Sequence, residues 1–209
     1  YVVDTQGMPP HRAARFLLAG SISIVMEPEA GTILKLVERE KNRLIVSFDP
    51  NIRPSLIPDR EAYLKKFEAF CGACGIVKAS DTDLEWLYGP LSEEEIVSKL
   101  LKLGPELVFV TRGEKGSAAY TRMAKASLPA FKVPVADTNG AGDTFHAAVL
   151  AALDRKGADS REKLAGLKAA DLEALLRFAA AAAALNCTKE GANPPTLAEL
   201  ERAYPGCGL

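Results

Sequence analysis

Asp137-Thr138-Asn139-Gly140-Ala141-Gly142-Asp143 is the stretch on which the reading of this chain turns. It joins a strand-like segment to a helix expected to begin near Asp143, with Phe145, Val149, Ala152 and Leu153 along one face. Glycines at 140 and 142 let the backbone turn tightly and approach a ligand closely. The first turn of a helix has unpaired N–H groups and a partial positive charge, so the segment forms an anion hole. The G-x-x-x-x-G-K-[ST] phosphate loop is absent, and G-x-G-x-x-G fails because Phe145 occupies the third glycine position. An aspartate at the mouth of an anion hole repels phosphate and therefore needs a reason. Either Asp143 takes the proton from a hydroxyl that attacks the phosphate, or it only caps the helix.

Working outward, apolar runs alternate with amphipathic segments. Strands are expected in the run that opens 16–26, at 44–48, 75–79, 107–110, 117–121 and 130–135, the last two joined by a turn around 122–127. Helices are expected at 28–40, 60–70, from Ser80 to Tyr88, from Ser92 onward, and at 143–153, 171–186 and 197–204. Ser80 with Asp83, and Ser92 with Glu95, have the capping-box spacing, and Gly89-Pro90 stops the first of these two helices. This alternation predicts a single α/β domain over residues 1–209, built on a mainly parallel sheet with helices on both faces. In such sheets ligands bind beyond the carboxyl ends of the strands, which places Asp49, Ser80 and Thr111 on one expected rim.

Composition narrows the function. Lys+Arg (26) and Asp+Glu (27) nearly cancel, which argues against a nucleic-acid partner. No apolar run is long enough for a membrane span, so no membrane association is expected, and no signal peptide is visible. The four cysteines do not make a disulfide scaffold, and Cys71-Gly72-Ala73-Cys74 lacks the second ligand pair that zinc requires; it reads as two small apolar residues near a helix end. A reducing cytoplasm is the expected location. His146, inside the helix after the loop, reads as a packing residue, and His11 lies in an uninformative stretch.

The loop 137–145 closely resembles the second signature of the PfkB (ribokinase-like) carbohydrate kinases, and three further segments agree in order: Phe48-Asp49-Pro50-Asn51-Ile52-Arg53-Pro54-Ser55, Val110-Thr111-Arg112-Gly113-Glu114-Lys115-Gly116 and Gly191-Ala192-Asn193-Pro194-Pro195. The resemblance runs from about Gly20 to the C-terminal helix and implies a ribokinase-like fold and ATP-dependent phosphorylation of a small molecule. It implies that Asp143 is the general base and that Gly140, Ala141 and Gly142 form the anion hole. By the same resemblance Thr111, Gly113 and Gly116 contact the nucleotide's phosphates and ribose, and Ala183, Asn186, Gly191, Ala192 and Asn193 enclose its adenine. Mg2+ is implied by the charge of the ATP phosphates.

Some members of the family hold potassium beside the anion hole. Asp137 and the carbonyls of Asn139, Asn186, Lys189 and Gly191 fall at those positions, with Pro195 where a hydroxyl often helps. The family's Asn-x-x-Glu motif, which organises magnesium through water, is replaced by Ser80-Asp81-Thr82-Asp83; Asp83 either keeps that role or is only the capping-box residue.

Asp49-Pro50-Asn51-Ile52-Arg53 resembles the segment of fructokinases and 2-keto-3-deoxygluconate kinases, with Asn51 and Arg53 facing substrate or phosphate. Arg53, a planar and always charged fork, suits a carboxylate or a phosphate. A fructokinase-like sugar kinase is favoured, the sugar-acid kinase is the alternative, and an adenosine-type nucleoside kinase or a catalytically silent nucleotide-binding module are further readings. The resemblance also implies that the chain corresponds to the C-terminal two-thirds of the fold. The family's first strands, its Gly-Gly sugar contacts and the β-lid through which many members dimerise are not recognisable before about Gly20.

Overall fold

The computed structural model describes residues 14–207, and His11 lies outside them. The chain divides into two compact units: residues up to Phe109 together with Asp159–Ala165, and Val110–Ala158 together with residues from Gly166 onward.

The first unit contains β1 (Phe16–Gly20), α1 (Glu29–Glu40), β2 (Ile45–Asp49), α2 (Arg60–Ala73), β3 (Ile76–Ser80), α3 (Asp81–Tyr88) and α4 (Glu93–Leu103). β4 (Leu107–Thr111) begins in it and carries the chain into the second unit. β1 pairs with β2, and β2 with β3, in parallel, with Phe48 opposite Val77. Every residue of β2 is buried, Ser47 and Asp49 included, as in a strand covered on both faces. Phe48 stacks on Phe70 of α2 at 5.3 Å and meets Phe67 at 5.6 Å, which fixes α2 over the sheet.

Helix starts follow their caps. Asp59 accepts from the Ala62 amide, and the boxes at Ser80/Asp83 and Ser92/Glu95 both form. Cys71 and Cys74 are buried with free thiols at the end of α2, as read from sequence, and burial raises both thiol pKa values. A short helix at Arg161–Ala165, α6 in chain order after α5, returns to this unit; Arg161 holds it against Glu106 and the carbonyls of Cys74 and Gly104. Only Leu164 of that helix is buried, so it has no periodicity to read.

The second unit contains β5 (Ser117–Tyr120), β6 (Lys125–Leu128), α5 (Ala141–Arg155), α7 (Ala169–Cys187) and α8 (Leu197–Ala203). β5 and β6 form an antiparallel hairpin, closed by Thr121 Oγ1 accepting from the Met123 and Ala124 amides. The second strand therefore lies at Lys125–Leu128, not at the expected 130–135. The ladder ends where Ser117 pairs with Leu128, and the next residue, Pro129, has no N–H to continue it. α7 buries Ala179, Ala181, Ala182 and Ala184 beside Leu172, Leu175 and Leu176, and it packs against α5, whose buried face includes Ala148, Val149, Ala152 and Leu153. Small side chains permit that close approach of two helices. His146 is buried in α5, as expected of a packing residue.

The strands follow the order β1-β2-β3-β4-β5-β6 in one mostly parallel sheet, the α/β class read from the sequence. Asp49, Ser80 and Thr111 are the last residues of β2, β3 and β4.

Candidate functional site

In the second unit, α5 begins two residues earlier than expected. Gly140 is its N-cap, in the left-handed conformation at φ 73°, and Ala141, Gly142 and Asp143 form the first turn. An ideal Cβ on Gly140 would stand 2.7 Å from the Cβ and 3.1 Å from the Cα of Ala192, so the site requires glycine for both conformation and space. This placement shows that Asp143 is not the N-cap. The N-cap is Gly140 and no side chain caps the helix, while Asp143 lies exposed in the first turn. Its carboxylate is presented to solvent at the positive end of the helix.

Two side chains tie this loop to the segment after α7. Asp137 accepts from the Asn139 amide through Oδ1 (2.9 Å) and from the Gly191 amide through Oδ2 (3.0 Å). Those two bonds, the Asn139 one first, lower its pKa below the ordinary aspartate value. Asn186, fully buried near the end of α7, donates Nδ2–H to the Asn139 carbonyl (2.8 Å) and accepts from the Asn193 amide at Oδ1 (2.9 Å). Asp137, Asn139, Gly140, Asn186, Gly191, Ala192 and Asn193 are thus brought together. Sequence reasoning did not foresee that Asn186 works as a clip between two loops; the available signal was a lone amide closing an alanine-rich helix. Ala183, half-buried, lies one turn before it.

Thr111, Gly113 and Gly116 lie in the same unit at the end of β4. The chain turns through a short 3-10 segment at Gly113–Lys115, closed by Arg112 N–H donating to the Gly116 carbonyl (2.8 Å). A Cβ on Gly116 (φ 102°) would lie 2.0 Å from the Leu128 carbonyl oxygen, so this glycine lets the turn pass the end of β6.

In the first unit the Asn51–Arg53 segment is held from two sides. Asp49 accepts the Asn51 amide at Oδ1 (3.2 Å), and Asp83 Oδ1 accepts the Ile52 amide (2.9 Å). Asn51 adopts a positive φ of 40°. Arg53 donates through Nη1 to Asn51 Oδ1 (2.7 Å) and to the carbonyls of Asn51 and Ile52, while its other donors have no partner among the described residues. The second Asp83 oxygen accepts the Ser80 amide in the capping box (3.0 Å). Both carboxylate oxygens of Asp83 are therefore engaged by backbone amides, and the residue is buried. Sequence reasoning overlooked Lys78, whose Nζ pairs with Asp49 Oδ2 at 2.8 Å with both side chains buried. The signal was a lysine inside the otherwise apolar run Ile76-Val77-Lys78-Ala79.

Among the described residues no cluster of three or more His, Cys, Asp or Glu forms a metal centre. The oxygens around Asp137, one ionised carboxylate and neighbouring carbonyls, are the hard donors that alkali and alkaline-earth cations prefer.

The family described as pfkB family carbohydrate kinase matches residues 9–199, beginning earlier than the resemblance read from about Gly20. The chain belongs to this family. It is 36% identical over 186 residues to fructokinase-1 of Oryza sativa subsp. japonica, covering 87% of this chain and 55% of that protein. Among solved structures it is similar to the fructokinase with bound ATP from Xylella fastidiosa (TM-score 0.81, 28% identity, 91% of this chain and 63% of that one). It is also similar to the fructokinase from Vibrio cholerae O395 in its fructose, ADP and calcium ion bound form (TM-score 0.80, 25% identity, 96% and 64%). The chain spans about half the length of the fructokinase sequences it matches, 55% of the rice protein.

Proposed function

We propose that this chain belongs to an ATP-dependent, fructokinase-like sugar kinase that transfers the γ-phosphate to a sugar hydroxyl. The observation that carries the reading is the start of α5, where an exposed aspartate in the first helical turn lies beside a left-handed glycine cap that admits no side chain. In this reading the sugar hydroxyl attacks the γ-phosphorus, its proton passes to the Asp143 carboxylate, and ADP leaves. The first-turn amides of Gly142 and Asp143, which have no intrahelical acceptor, face the transferring phosphoryl oxygens. Thr111, Gly113 and Gly116 serve the nucleotide phosphates and ribose, and Ala183 with the loop 191–193, held by Asn186, encloses adenine. Asn51 and Arg53 contact the sugar or a phosphate.

The similarity to the ATP-bound fructokinase of Xylella fastidiosa supports the nucleotide and that to the fructose-bound protein of Vibrio cholerae supports the sugar. The family match runs through both compact units, which supports treating 1–209 as one kinase domain. Magnesium, which neutralises the phosphates when bound, would rely mainly on the nucleotide's own oxygens, because Asp83 is buried as well as engaged by two backbone amides, whereas the equally engaged Asp137 is part-exposed. The donors at Asp137 and the carbonyls of Asn139, Asn186, Lys189 and Gly191 are our assignment for potassium. Arg53 keeps the sugar-acid kinase as a second reading, since its remaining donors match a carboxylate.

A cytoplasmic location accords with four free cysteines. No helix among the described residues is long and apolar enough to cross a membrane, and the near-balanced charge gives no footprint for nucleic acid. Homodimerisation through the family's lid remains part of the proposal.

A panel of fructose, 2-keto-3-deoxygluconate, ribose and adenosine with coupled ADP detection tests the reading, with fructose expected to give the highest kcat/KM. Asp143→Ala is expected to lower kcat by about 10²–10⁴-fold with nucleotide affinity retained. ADP formation dependent on none of the four acceptors, or a variant with normal turnover, would overturn it.

A further inference from the structure

We propose that Lys78 is a positioning residue for the substrate-facing segment Asn51–Arg53, acting through Asp49; this rests on the sugar-kinase reading above. Lys78 lies on β3, next to β2 in parallel register, and its ammonium meets Asp49 Oδ2 at 2.8 Å with both side chains buried. Packing gives no reason for such a pair, because well-packed apolar residues of similar volume are often as stable or more so. The reason lies one bond further along. Through its other oxygen, Asp49 receives the amide of Asn51, whose φ of 40° is a conformation that non-glycine residues seldom adopt. Held that way, Asn51 turns its side-chain oxygen and its carbonyl to the same Arg53 nitrogen, Nη1, which also donates to the Ile52 carbonyl, so the other guanidinium donors stay uncommitted among the described residues.

The charges account for the residue type. Asp49 and Asp83 both serve this loop, and Arg53 is the cation carried by the loop itself. The Lys78 ammonium supplies a buried cation to the Asp49 carboxylate on the strand side. Lys78 neutralises Asp49 from below, so that the Arg53 charge remains available to an anionic or hydroxyl-bearing ligand. Its reach is through two intervening residues, with no contact to the ligand.

The test compares Lys78→Met, Lys78→Arg, Arg53→Ala and the Lys78→Met/Arg53→Ala double variant in the full chain. The KM for fructose is expected to rise at least tenfold in Lys78→Met, with kcat changed less and the Kd for ATP, by calorimetry, within twofold of the parent. Lys78→Arg, which keeps the charge, is expected to recover part of the KM. The double variant should be no worse than Arg53→Ala alone, because Lys78 acts through Arg53; additive losses would overturn the proposal, as would an unchanged KM in Lys78→Met. Hydrogen exchange at the Asn51 and Ile52 amides, read without substrate, should speed up at least tenfold in Lys78→Met. If the parent phosphorylates no sugar while these amides still respond, the sugar-kinase reading fails and the positioning stands; if they do not respond, the positioning fails. Should Lys78→Met not fold, the exchange measurement and the cycle with Arg53→Ala are made on Lys78→Gln, which removes the charge but stays polar, and there an unchanged exchange rate or fully additive KM effects overturn the proposal.

Discussion

Replacing Gly140 by alanine tests the geometry at the head of α5 directly. The residue has φ 73°, and an added Cβ would lie 2.7 Å from the Ala192 Cβ. The conformational part costs about 1–2 kcal/mol for a residue with a Cβ. The contact part arises because two carbons rest at about 3.5–4.0 Å, so the 191–193 loop must retreat by ~1 Å. That retreat works against the Asp137–Gly191 and Asn186–Asn193 bonds, and overpacking of this kind typically costs about 1–3 kcal/mol. The sum for Gly140→Ala is a loss of about 2–5 kcal/mol, measured by urea unfolding followed by circular dichroism.

The two parts separate in a double-mutant cycle with Ala192→Gly, which removes the opposing Cβ but leaves the backbone conformation strained. A favourable coupling of at least ~1 kcal/mol is expected, with stability recovered in part and not in full. Full recovery would show that the left-handed conformation carries no cost. Zero coupling, or a Gly140→Ala variant as stable as the parent, would refute the close apposition of the two loops.

Asn186→Leu keeps the volume but removes both partners from the Asn139 carbonyl and the Asn193 amide, so a loss of about 1–3 kcal/mol in unfolding free energy is expected, together with weaker ATP binding by calorimetry. Gly116→Ala places a Cβ against the Leu128 carbonyl, and should loosen the β5–β6 hairpin, seen as faster amide exchange at Ser117–Tyr120. Glu199 has a pKa of about 2, lowered first by the Thr196 amide and hydroxyl and then by Lys189. Because the folded value lies below the unfolded one, its contribution is complete above the ordinary glutamate range and is lost as pH falls from about 4.5 toward 2. Glu199→Gln should therefore flatten the fall of melting temperature with pH across that interval.

Much of the fold was legible because its signals are local. Ser80/Asp83 and Ser92/Glu95 both form the boxes their spacing announced, since a cap needs only residues three apart on one chain. The core of β4 stood out as a continuous apolar run and β2 as a short β-branched one, both of which a sheet covered on both faces buries. The second hairpin strand was misplaced because 130–135 carries as much apolar character as 125–128. What decides is the point at which β5 gives out and Pro129 interrupts the ladder, a property of the pair and not of either segment.

The candidate site divides along the same line. The glycines at 140 and 142 and the aspartate at 143 marked, from sequence alone, a helix start with the backbone freedom and helix-end charge that the proposed anion hole needs. The sequence could not say whether Asp143 was the cap; that depended on where the helix begins, and Ala192 packing against Gly140 leaves Gly140 no side chain with which to cap it. The roles of Lys78, Asp83 and Asn186 are tertiary too. Each holds a segment distant in sequence, Asp49, Ile52 and Asn139 respectively, and a hydrogen bond across such a separation exists only once the strands and helices between have packed.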